Sequence, residues 1–101
     1  MATVRIVQER TLYGGVAERI RTLRKAAGLS QEELAARASL NPFYIVRAEA
    51  GRQNLSLQTI GRLALALGMP PAALFEGVVA EPSLLETKPR SNARPKRAEG
   101  D

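Results

Sequence analysis

Two helix starts set close together constrain this chain more than any other feature. Ser30-Gln31-Glu32-Glu33 reads as a capping box: the Ser30 hydroxyl accepts from the Glu33 amide, and Glu33 reaches back. Asn41-Pro42 follows, an N-cap residue before a proline at the first helical position, where a missing N–H costs little. The spacing predicts a short helix over roughly 31–38, with an apolar face of Leu34, Ala35 and Ala38, and another from Pro42 to about Ala50, stopped by Gly51. Only Ser39-Leu40 remain to connect them, so the two helices must be joined by a tight turn.

The flanking segments supply the rest of an all-α domain. From Gly15 the pattern turns helical, with Val16, Ile20 and Leu23 on one stripe. Glu18 near its start and Lys25 near its end suit the helix dipole, and Gly28 closes it. A loop, Arg52-Gln53-Asn54-Leu55, leads to Ser56 as the next N-cap. Leu57, Ile60, Ala64 and Leu67 form a further stripe closed by Gly68, and Pro70 to Phe75 reads as a last short helix that lids the core with Leu74 and Phe75. Five helices are therefore expected. Residues 1–12, partly β-branched at Thr3-Val4-Arg5-Ile6-Val7, form an N-terminal arm that admits a short strand; 13–77 form the domain. After Phe75 the composition shifts: Pro82, Pro89 and Pro95 break helices, and Lys88 to Arg97 holds five bases and no acid. Residues 78–101 read as a flexible basic tail.

Composition removes several function classes. The 101 residues contain no Cys and no His, which excludes disulfides, a Cys/His zinc site and the Ser-His and Cys-His nucleophile pairs. No apolar run reaches the about 18 residues of a membrane span, and the N-terminus, with Arg5, Glu9 and Arg10, has no apolar signal core. A chain of this kind is expected to be soluble and cytoplasmic, with no metal and no cofactor. With only 4% aromatics, the core must be aliphatic. The net charge of +5 points to a polyanionic partner, and its distribution sharpens the point: residues 13–75 hold eight bases and four acids, while 76–101 balance at five each.

Short helix, tight turn and second helix form a helix-turn-helix pattern. At 100° per residue, Ile45, Ala48 and Glu49 point to one side of the second helix, with Tyr44 at the margin, and Phe43, Val46, Arg47 and Ala50 to the other. The inner set packs on the domain. The outer set would face the major groove of DNA if this is a recognition helix.

Over residues 15–75 the chain resembles the lambda-repressor-like, Cro-type helix-turn-helix domain, also called the XRE family. The resemblance is carried by Ile20-Arg21, Leu23-Arg24, the run from Gly28 to Ala35, Ala38, Leu40, Tyr44-Ile45, Glu49, Gly51, Asn54, Ser56-Leu57, Leu63-Ala64, Ala66-Leu67-Gly68 and Leu74-Phe75. It implies that Asn41, Phe43 and Arg47 face bases, a set that Val46 joins by its place on the outer face. It implies that Gln31 meets the DNA backbone, that Tyr44, Arg52 and Asn54 lie near phosphates, and that Arg24 and Glu49 form a semi-buried salt bridge between the first and third helices. The chain departs from the family pattern at Ser39, where the turn usually has Gly, at Pro42 and Phe43, and at Val46 in place of a common Ser.

The resulting expectation is a sequence-specific transcriptional regulator, not an enzyme. It would bind a palindromic operator in double-stranded DNA as a homodimer, because one such domain reads only a few base pairs and symmetry doubles the site. The alternative is a protein-interaction module, such as an antitoxin, that docks the apolar strip Phe43, Val46 and Ala50 on a partner.

Overall fold

The computed structural model describes residues 11–86. Four α-helices occur among them: α1 (Leu12–Ala26), α2 (Gln31–Ala38), α3 (Pro42–Glu49) and α4 (Leu57–Leu67). Two 3-10 helices follow, Pro71–Phe75 and Pro82–Leu85. The expected fifth helix is thus present as a 3-10 turn: with Pro70 and Pro71 at its start, the segment is too short to pass beyond i→i+3 bonding. The expected arm lies outside the described residues except for Thr11 and Leu12.

Helix ends follow the local chemistry closely. Ser30 Oγ accepts from the Glu33 amide at 3.0 Å and the Ser30 amide donates to Glu33 Oε1 at 2.8 Å, which completes the capping box. Asn41 Oδ1 accepts from the Phe43 amide at 2.7 Å, and Ser56 Oγ from the Thr59 amide at 3.1 Å. α1 departs from expectation by starting three residues before Gly15. The Gly14-Gly15 pair weakens local helix propensity, but two oxygen acceptors compensate at the N-terminus. Thr11 Oγ1 accepts from the Gly14 amide at 2.9 Å, and Glu81 Oε1 accepts from the Leu12 amide at 2.8 Å.

Glu81 belongs to the stretch expected to be tail. Val78 and Glu81 instead contact α1. Val78 packs against the core over the bare backbone of Gly15, where an added Cβ would come within 3.0 Å of Val78 Cγ1. Glycine inside this helix thus serves close approach, not a turn.

The core is one aliphatic cluster at the junction of all four helices, with Ile20, Leu34, Ala35, Ile45, Leu63 and Leu74 fully buried. Two expected core residues are not in it. Leu57, in the first turn of α4, is 87% exposed, and the inner face of that helix is Ile60, Leu63 and Ala64. Phe75 is 41% exposed: the 3-10 turn directs Leu74 inward and leaves the next side chain at the rim of a surface cavity.

The turn between α2 and α3 closes through Ser39, which adopts the left-handed conformation (φ 58°, ψ 45°) that the family's usual Gly takes without strain. The Leu40 amide donates to the Ala35 carbonyl at 2.8 Å, and Arg62 Nη1 to the Ser39 carbonyl at 3.1 Å.

A buried ion pair sets the angle between α1 and α3. Glu49, 4% exposed, accepts from Arg24 Nε at 2.6 Å and from Arg24 Nη2 at 3.0 Å, the two-point match of guanidinium to carboxylate. Arg24 Nη1 donates to the Leu29 carbonyl at 2.9 Å, and Gln31 Nε2 to Glu49 Oε1 at 3.0 Å. Arg21, itself paired with Glu18, donates to the Glu49 carbonyl, a cation at the C-terminal end of α3 where the dipole favours it. The Glu49 hydrogen bond holds the Arg24 guanidinium above its ordinary pKa; burial opposes this and the charge of Glu49 adds to it.

Three stability outcomes follow. Glu49→Ala leaves Arg24 buried without its partner and should cost about 3 kcal/mol in a thermal or urea melt; a loss under about 0.5 kcal/mol would mean a weak, surface-like pair. Ser39→Gly should gain up to about 1 kcal/mol, the relief of left-handed strain less the extra freedom of the unfolded chain. Truncation after Gly77 should cost about 1–3 kcal/mol in a melt, relative to truncation after Glu86, through the lost Glu81 cap and Val78 contact.

Candidate nucleic-acid interface

With α3 tied down on its inner side, its outer side forms an exposed strip. Ile45, Ala48 and Glu49 are buried, Tyr44 is half-buried, and Phe43, Val46, Arg47 and Ala50 are exposed, as the helical wheel predicts. Phe43 is 68% exposed. An aromatic ring that open to water on a folded helix contributes little to stability and is available for contact.

Arg47 is the cation of this strip. Its Nε donates to Gln53 Oε1 at 2.9 Å, and among the described residues no other acceptor holds the guanidinium. Its two terminal amino groups therefore retain donors for a planar pair of acceptors. Asn41, at the start of α3, uses its Oδ1 as a helix cap, which leaves its amide N–H groups for an outside partner.

Of the candidate phosphate residues, Tyr44 lies on α3 itself and the others flank it on both sides. Arg52 and Asn54 are exposed on the loop after it. That loop is folded back on the end of α3: the Gly51 amide donates to the Ala48 carbonyl at 3.1 Å and the Arg52 amide to the Arg47 carbonyl at 3.0 Å. Gln31 lies at the first position of α2, half-buried, with its amide turned onto Glu49. One of its two side-chain N–H donors is thereby used and the other is left. Gln31 thus joins the structural clamp as well as the candidate surface, a link that helical periodicity does not reveal. Gln53 is likewise absent from the sequence-derived set, because no local pattern pairs it with a residue six positions earlier.

The residues on this surface can offer the contacts that direct readout uses. One planar cation beside apolar side chains, framed by amide and guanidinium donors, matches the acceptors of a base edge, a thymine methyl and the flanking phosphates. Among the described residues no helix is long and apolar enough to cross a membrane.

Comparison with known proteins agrees with this geometry. A family model described as a helix-turn-helix domain matches residues 16–76. The HTH-type transcriptional regulator DdrOP3 of Deinococcus deserti is 38% identical over 63 residues, 62% of this chain and 49% of that protein. The chain thus spans about half the length of that curated relative. The crystal structure of the restriction-modification controller protein C.AhdI from Aeromonas hydrophila superposes with a TM-score of 0.59 at 45% identity, covering 59% of this chain and 91% of that one. A second controller protein, C.Esp1396I, solved as a tetramer in complex with its natural 35 base-pair operator, superposes at a TM-score of 0.57 and 27% identity, covering 61% of this chain and 82% of that one. The apolar outer strip by itself would also suit a protein-docking module; the family match favours the nucleic-acid reading. The fold is that of DNA-binding regulators, and the chain belongs to the helix-turn-helix domain family.

Proposed function

We propose that this protein is a sequence-specific transcriptional regulator that inserts α3 into the major groove of a palindromic operator and acts as a homodimer. The observation that carries the reading is the outer face of α3: Phe43, Val46, Arg47 and Ala50 are exposed on a helix whose opposite face is locked by Glu49. A rigid helix with free donors can read bases without being ordered at the moment of binding. Phosphate contacts from Gln31, Tyr44, Arg52 and Asn54 supply position and affinity; Asn41, Phe43, Val46 and Arg47 supply sequence preference. The operator complex of the related controller protein C.Esp1396I supports binding by more than one copy. The exposed apolar side chains Tyr13, Leu57 and Phe75, clustered around one surface cavity, offer a face for self-association. The protein acts as a binding module in the cytoplasm, not as an enzyme.

Arg47 suits the N7 and O6 acceptors of guanine, and the apolar neighbours suit the C5-methyl of thymine. Each half-site should therefore hold a guanine close to a thymine. Duplexes selected from random DNA, followed by binding titrations, test this. Arg47→Ala should lose about 1–3 kcal/mol and relax preference at that guanine alone, whereas Arg52→Ala should weaken all sequences alike and flatten the salt dependence by about one unit of slope. Unchanged affinity and specificity in Arg47→Ala would remove α3 as the reader.

A further inference from the structure

We infer that Gln53 is a positioning residue for Arg47, holding its guanidinium end-on to the guanine edge; the inference rests on the α3 reading above. Gln53 lies six residues after Arg47, beyond the end of α3, and its Oε1 accepts from Arg47 Nε at 2.9 Å. Two features hold that acceptor in place. The backbone bonds of Gly51 to Ala48 and of Arg52 to Arg47 fold the loop onto the last turn of α3. Gln53 is half-buried and is among the residues lining a surface cavity of about 160 Å³, together with Tyr13, Val16, Leu55 and Leu57, while its bond to Arg47 lies at the solvent-exposed surface. A half-buried glutamine on a folded-back loop has less rotational freedom to lose than a wholly solvated one.

The consequence follows from the shape of the guanidinium. Its five N–H groups form a rigid planar fork, so engaging Nε turns the far edge, with one N–H from each of Nη1 and Nη2, away from Gln53. These two groups are the ones that meet O6 and N7 of a guanine in an end-on, two-point contact; the side-on contact would need Nε, which Gln53 occupies. Arg47 is otherwise a long, rotamer-rich side chain whose ordering on DNA would weaken the contact. Gln53 thus sets specificity without touching the base.

The test uses the full chain and an operator selected by the wild-type protein, with 7-deazaguanine, which lacks the N7 acceptor, placed at the half-site guanine. Affinity for the natural and the deaza duplex is measured for wild type, Gln53→Leu, Gln53→Glu and Arg47→Ala. Wild type should lose about tenfold or more on the deaza duplex. Gln53→Leu should reduce that ratio to about twofold or less with an unchanged melting temperature. Gln53→Glu, which keeps the acceptor, should restore the ratio while its negative charge weakens binding to every duplex. A full ratio in Gln53→Leu, or a collapsed one in Gln53→Glu, overturns the positioning role even if Arg47→Ala abolishes discrimination. A ratio left intact in Arg47→Ala overturns the recognition reading itself, and this inference with it.

Discussion

The buried carboxylate of Glu49 is the interaction on which the rest of the structure depends. It gathers Arg24 from α1 and Gln31 from α2 onto the inner face of α3, while its backbone carbonyl takes Arg21. A charge that deep is costly unless it is paired and hydrogen-bonded, and here two guanidinium bonds and an amide bond serve it. The same arrangement gives α3 a direction. An isolated helix of eight residues is marginal in water, so its orientation must come from tertiary contacts. Ile45 and Ala48 supply apolar burial that does not discriminate between nearby angles, and the ion pair selects one of them.

That fixed direction is what makes the outer face useful. Because the inner stripe is locked, Phe43, Val46 and Arg47 project together and the loop after α3 is brought close enough for Gln53 to engage Arg47. The tight turn on the other side costs backbone strain at Ser39, a non-glycine residue held at positive φ. Val78 packs on α1 and Glu81 caps it, so residues beyond the last core helix contribute to the helix that carries Arg21 and Arg24.

Helix boundaries governed by local chemistry were legible in the sequence. Ser30, Asn41 and Ser56 cap where their side chains dictate, and the split of α3 into buried and exposed faces follows from its period alone. The Arg24–Glu49 pair was reached through family resemblance, not periodicity. What local reading missed depends on contacts between distant residues. α1 begins at Leu12 with Thr11 as a local cap on Gly14, and with a second acceptor from Glu81, sixty-nine positions away, which no window around Gly14-Gly15 contains. Leu57 and Phe75 have core-like side chains, but each stands at an element end that overhangs the cavity rim. Gln31 reads as an N-terminal helix former, and its bond to Glu49 exists only once α2 and α3 have packed.

The central claim is that the clamped helix presents its outer face to bases. Amide and side-chain NMR shifts of the protein, followed through titration with a selected operator and with a scrambled duplex of equal length, test it most directly. The account predicts that both duplexes perturb Gln31, Arg52 and Asn54, whereas only the operator strongly perturbs Phe43, Val46 and the Arg47 guanidinium. Identical shifts with both duplexes, or shifts centred on Tyr13, Leu57 and Phe75 with α3 unmoved, would contradict it.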